Sequence, residues 1–193
     1  MPVTRIIDCG DTMVRFWKMM AGHEGLGSDC FYNRNLIAIY FHKLGEVNLI
    51  GKDQTGIFNE LNRVYAGNKK INVYDFEIQN FLIDMRPHDV VVYKDKHNKM
   101  LRIGEVTSDP IYDNNKVCPF PLHGEIDFAR HYRKIDWVVN RDIAEMTEEY
   151  PEFFGKYGTL HMRQKTIIEI TDIDVIEKLK RLIHETRGNI KLD

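Results

Sequence analysis

The chain is built of short apolar runs with strand-like alternation, interrupted in a few places by apolar residues at helical spacing. Its centre is the stretch from His88 to Asp109. Asp89 to Tyr93 is short and β-branched, Leu101 to Thr107 alternates in part, and the polar turn Lys94 to Lys99 between them holds an Asp and an Asn. That pattern predicts a β-hairpin. Gly104 interrupts the second strand, and a glycine there marks a bulge, a barrel corner or a close approach by another backbone or a ligand. The bend that lets a small barrel close is the expected role.

Upstream, Asp8-Cys9-Gly10-Asp11 is a turn, and Met13 to Met20 reads as a strand carrying Val14, Phe16 and Trp17. Ala21 to Asn35, with Gly22, Gly25 and Gly27, reads as a loop or short helix; Leu36 to Phe41 is an apolar strand, and Glu46 to Ile50 a further short one. Asp53 and Thr55 are candidate caps for a helix from about Gly56 to Tyr65, stopped at Gly67-Asn68. A second helix runs from Val73 to Met85 until Pro87 ends it. Beyond the hairpin, Asp109-Pro110 and Asp113-Asn114-Asn115 are turns, Cys118 to Glu125 with Pro119 and Pro121 is an irregular loop, and His131 to Asn140 is a strand. Thr147 to Phe154 reads as a short acidic helix interrupted by Pro151, Gly155 to Gly158 as a turn, and Thr166 to Ile170 as a last strand. Asp172 to Arg187 is a helix with Ile173, Ile176, Leu179 and Ile183 on one face. The sum is an α+β fold: a small curved mixed β-barrel flanked by helices, with a C-terminal helix. The expected division is an extension over 1–12, a domain over 13–170 and the helix in 171–193.

Composition changes the picture in three ways. The 193 residues, 43% hydrophobic, are enough to bury one core. With 27 basic against 29 acidic residues, net charge −2, no global field advertises nucleic acid, so any such site is a local patch. Cys9, Cys30 and Cys118 are odd in number and far apart, which reads as three unrelated thiols in a reducing compartment. No run approaches the roughly 20 apolar residues that cross a bilayer, so a soluble cytoplasmic protein is expected, with no membrane partner.

Catalytic signatures fail on spacing. Gly45 to Asp53 is unlike a P-loop because five residues, not four, separate its glycines, and Asp53 stands where the metal-binding hydroxyl belongs. His123-Gly124-Glu125 lacks the Pro-Cys-x-x-Cys partner of a zinc deaminase, and Cys118 with His123 cannot close a tetrahedral site. Glu105, Asp109 and Asp113 sit at a strand end and turns, where acids are ordinary. No catalytic residue, metal or cofactor is therefore expected. What stands out is aromatic and basic material near strand ends. Trp17, Tyr40, Phe41, Tyr93 and Trp137 are candidate stacking faces for an extruded base. Lys94, Lys96, Lys99, Arg102, Arg130, Arg133 and Lys134 are candidate phosphate contacts.

The ordered segments Arg15-Phe16-Trp17-Lys18, Asn35-Leu36-Ile37-Ala38-Ile39, Pro87-His88-Asp89-Val90-Val91-Val92, Ile103-Gly104-Glu105-Val106 and Tyr132-Arg133-Lys134-Ile135-Asp136-Trp137 resemble one family. It is the N-terminal recognition domain of McrB-like restriction proteins, in the PUA-like superfamily that includes EVE and YTH domains. The resemblance covers roughly residues 13 to 140. Where that family often reads Ile-Gly-Trp, this chain has Ile39-Tyr40-Phe41. The resemblance implies a non-enzymatic reader that flips a modified base, N6-methyladenine being the expected mark, out of double-stranded DNA into an aromatic pocket. Trp17, Tyr40, Phe41 and Tyr93 would line that pocket, and Ser28, Asp29 and Asn33 would meet the base edge. It also implies partners: an AAA+ GTPase motor and a nuclease subunit of a McrBC-type restriction system. RNA is the other possible ligand. The alternatives are a stand-alone PUA-like RNA-binding or RNA-modification accessory protein, a hydrolase using His97, His123 or the acids near Asp109, and a protein-interaction domain.

Overall fold

The computed structural model describes residues 13–20, 27–41, 44, 46–95, 98–115, 117–122, 125–151 and 167–188. In chain order the elements are β1 (Phe16–Met19), α1 (Ser28–Asn33), β2 (Leu36–Ile39), α2 (Gln54–Val64) and α3 (Ile71–Gln79), which continues into a π-turn over Asn80–Asp84. Then come β3 (Val90–Asp95), β4 (Met100–Val106), β5 (Ile111–Tyr112), β6 (Cys118–Leu122), β7 (Glu125–Ala129), β8 (His131–Asp142), α4 (Ile143–Glu149), β9 (Ile167–Ile170) and α5 (Ile173–Gly188).

The fold is α+β, a mixed sheet curled into a half-barrel and flanked by helices. Strand order is β2-β8-β4-β3-β1-β9, with β5 also on β8, and β6 with β7 makes a separate ribbon. β1 runs parallel to β3, pairing Trp17 with Val91, while β3 and β4 form the expected hairpin. Because side chains alternate across a strand, the sheet serves two cores. Trp17, Val91 and Tyr93 face inward with Phe31, Ile37, Ile57 and Phe81. Phe16, Val90 and Val92 face outward, where Val175, Leu179 and Ile183 of α5 cover them.

Gly104 is where the sheet bends. The β4–β8 register shifts between Ile103 and Gly104, so that Ile103 pairs with Val139 and Gly104 with Trp137. A Cβ on Gly104 would lie 2.7 Å from the Asp136 carbonyl oxygen and 2.8 Å from Ile135 Cγ1. The bulge and the close backbone approach are thus one feature.

Several elements differ from expectation. Residues 46–50 form turns and irregular chain, not a strand, because Val47 N–H turns back to Leu44 O at 3.0 Å. Cys118 to Glu125 is not a loop: β6 and β7 pair antiparallel, with Pro119 and Pro121 on a ribbon whose outer edge needs no donor. The acidic helix begins earlier, at Ile143, because the Asp142 carboxylate accepts the Ala144 and Glu145 amides. Asp53 alone caps α2, through the Gly56 amide at 2.7 Å. The segment 1–12, the Gly155–Gly158 turn, Lys96, His97 and His123 lie outside the described residues. Among the described residues, no helix is long and apolar enough to cross a membrane.

The cysteines also depart from expectation. Cys30 and Cys118 form a disulfide, their Cα atoms 5.8 Å apart, which fastens α1 to β6. A separation of 88 residues hid the pair in the sequence.

Candidate functional site

The predicted site residues fall into three groups. The first holds the frame. Trp17 is 1% exposed, so its ring offers no face to a base; it is core because β1 points it inward beside Tyr93. Its indole N–H donates to Asp89 Oδ2 at 2.8 Å, and the same carboxylate accepts the Arg15 amide at 3.0 Å and the Arg86 amide at 2.9 Å. Arg133, also 1% exposed, is a clamp and not a phosphate contact. Its guanidinium donates to Phe81 O at 2.8 Å, Met85 O at 2.7 Å, Leu82 O at 3.5 Å and Ser108 O at 3.0 Å. The π-turn, with its irregular backbone pairing, leaves carbonyls for that planar fork to collect. Burial lowers the Arg133 pKa to about 10, against the opposing pull of Asp109 and Asp89, so it stays charged at neutral pH.

The second group latches α1 onto the hairpin. Ser28 and Tyr93 are buried, and their hydroxyls hydrogen-bond each other, so neither presents an edge to a ligand. Burial raises the Tyr93 phenol above its ordinary value. Asp29 accepts Asn98 Nδ2 at 2.9 Å, Asn98 also donates to Asp95, and Asp95 pairs with Arg102 at 3.2 Å. The Arg102 guanidinium lies 3.6 Å from the centre of the Tyr32 ring. At 4% exposure Arg102 is buried in this network, and its Nε and Nη1 have no hydrogen-bond partner among the described residues. Asn33, Lys99 and Lys134 are exposed and Lys94 is half-buried.

The third group surrounds a cavity. Its lining is Ile39, Phe41, Leu44, Leu49, Ile78 and Phe128, closed by Ala129, Arg130 and His131. It is shallow, with room for about one water-sized group beneath its open mouth. Here two predicted residues, Phe41 and Arg130, do meet. β2 ends at Ile39, so Tyr40 and Phe41 leave the sheet half-buried, and the Phe41 ring packs edge-on against Tyr74 of α3 at 5.3 Å. Tyr74 is braced in turn by Tyr65 at 5.2 Å. Arg130 Nη1 donates to Asn114 at 3.4 Å, and Nη2 lies 3.8 Å from Glu46, whose side chain is 90% exposed. The Arg130 side chain itself is 16% exposed, so these two long contacts hold a largely packed guanidinium.

His131 escaped the sequence reading as a site residue. It opens β8 opposite Ile39, and its Nε2 accepts the Leu49 amide at 3.1 Å. An imidazole that accepts at Nε2 carries its proton on Nδ1. Burial pushes its pKa down to about 4, so the ring is neutral at physiological pH. No local pattern marks this histidine, since its partner Leu49 is 82 positions away. Among the described residues no group of three His, Cys, Asp or Glu side chains is placed to hold a metal ion.

A family model described as a domain of unknown function, DUF8426, matches residues 17–171. The chain belongs to the DUF8426 family. That match starts at Trp17 and ends just past β9, so it takes in the half-barrel, the latch and the cavity of this DUF8426 member together. A search of curated proteins found no match.

Proposed function

We propose that this DUF8426 domain is a nucleic-acid reader in which a flipped base stacks on Phe41 at the mouth of the cavity while Arg130 holds the adjoining phosphate. The observation that carries the reading is the meeting of an aromatic wall, an apolar floor and a cation at one mouth. Base stacking on an aromatic ring contributes roughly 1–3 kcal/mol, and the floor of Ile39, Leu44, Leu49 and Ile78 suits a methyl group. N6-methyladenine in DNA is the first mark to test. The role that follows is the targeting module of a McrBC-type restriction system, with the motor and nuclease activities residing outside this domain.

Fluorescence anisotropy tests it, with matched duplexes carrying N6-methyladenine, 5-methylcytosine or no modification at fixed salt. Preference for one modified duplex, lost in Phe41→Ala and weakened in Arg130→Met, is the expected result. Equal binding to all three, unchanged by Phe41→Ala, would overturn the reading.

A further inference from the structure

The β6–β7 ribbon stands apart from the main sheet, yet its base belongs to the core, where Val117, Cys118 and Ala129 are buried. From that base come Phe128, Ala129 and Arg130, one wall of the Phe41 cavity. Two backbone bonds close the base, Val117 N to Ala129 O at 3.0 Å and Asp113 N to Arg130 O at 2.9 Å. α1 meets it at the Cys30–Cys118 bridge.

The two sulfurs of that bridge are not equivalent. Cys118 is fully buried, whereas Cys30 is half-buried. Arg34, one helical turn after Cys30, donates through Nη1 to Val117 O, and Cys30 Sγ lies 3.6 Å from the same oxygen. A cation is thus held next to the more accessible sulfur. A neighbouring cation, solvent access and a resolving partner are the setting in which a cysteine works as a reversible thiolate. A purely structural bridge needs neither the access nor the cation.

We infer that Cys30–Cys118 is a site of thiol–disulfide exchange, open at Cys30 to a dithiol reductant, and that its reduction unties the ribbon from α1. One thiolate of the dithiol attacks Cys30 Sγ and the Cys30–Cys118 bond breaks. Cys118 leaves with the electron pair and takes up the proton of the dithiol's second thiol. That second sulfur, now a thiolate, attacks its partner in the mixed disulfide and expels Cys30 as a thiolate beside Arg34. The dithiol ends as its disulfide, and its two electrons reduce the protein bridge. The cavity wall carried by the ribbon then loses its cross-link to α1.

The test uses the full chain and dithiothreitol in native buffer, with the free thiols alkylated and identified by mass. Reduction within minutes, at a rate unchanged by urea below the unfolding transition and reversed by glutathione disulfide, is the expected result. A rate that climbs with urea would mean that the bridge opens only with global unfolding, and would overturn the inference. Two variants in a Cys9→Ser background separate the sulfurs. Glutathione disulfide should modify Cys30 in Cys118→Ser far faster than Cys118 in Cys30→Ser, and Arg34→Met should slow the Cys30 reaction. Equal rates for the two thiols would overturn the assignment of Cys30 as the attacked sulfur. Reduction should also quicken hydrogen exchange across 113–130 while the β3–β4 hairpin stays protected; unchanged exchange there would overturn the release of the ribbon. None of these readouts involves nucleic acid, so they stand or fall separately from base reading.

Discussion

Acidification should destabilise this fold through His131 in a way one substitution can isolate. The imidazole is 5% exposed and accepts the Leu49 amide, so the folded state holds it neutral with a pKa of about 4, against about 6.5 in an unfolded chain. Between those values the unfolded state binds a proton that the native state does not, and stability therefore rises with pH across the window. The contribution is fully present above pH 6.5 and is lost as pH falls towards 4. At 1.36 kcal/mol per pH unit, the whole effect is about 3 kcal/mol, and about 2 kcal/mol of it falls between pH 7 and pH 5. The assay is urea denaturation at both pH values, for the native chain and for His131→Gln, which keeps an acceptor but cannot titrate. The other histidines and the carboxylates contribute to both proteins, so the difference in slope belongs to residue 131. Equal losses in the two proteins would refute the argument. So would an NMR titration of the native chain in which the His131 ring protonates near pH 6.5, a reading that survives even if the variant folds poorly.

Three further outcomes follow from the packing. Gly104→Ala should cost about 1–3 kcal/mol, because its Cβ meets the Asp136 carbonyl at 2.7 Å and backbone there cannot yield cheaply; a neutral result by thermal melting would put the bend elsewhere. Arg133→Met strips four carbonyls of their donor, and at ~1–3 kcal/mol for a buried acceptor left unpaired the loss should be at least about 3 kcal/mol. Lys134→Met, one residue on and exposed, should stay within about 0.5 kcal/mol; similar losses for the two would contradict the burial of the guanidinium. Reducing Cys30–Cys118 opens a constraint across 88 residues, for which the loop-entropy relation gives up to about 4–5 kcal/mol; unchanged denaturation midpoints with and without reductant would show that the bridge does not form in solution.

The elements legible in the sequence are those fixed by local pattern. The β3–β4 hairpin, the run from Leu36, the two central helices and the C-terminal helix all follow from spacing, and Gly104 announced its bend because glycine inside a strand has few other uses. The site was harder to read because facing is decided by register, and register here is set by distant pairs. One residue's slip in the parallel β1–β3 pairing would turn Trp17 from the inner core to the outer face. Arg133 and Arg102 read as surface cations until the π-turn and Asp95 give them internal partners. Pro119 and Pro121 disguised β6 because proline argues against a central strand, whereas this ribbon stands apart from the main sheet. With Arg102 and Arg133 internal, Lys94, Lys96, Lys99, Arg130 and Lys134 are the remaining candidates to reach a phosphate. For a single strand, log K should then fall with log salt at a slope no steeper than about −3.5. A steeper slope would mean that basic residues outside this set, or one of the buried arginines, also reach the strand. A shallow one places the affinity at the Phe41 mouth, where stacking does not depend on salt.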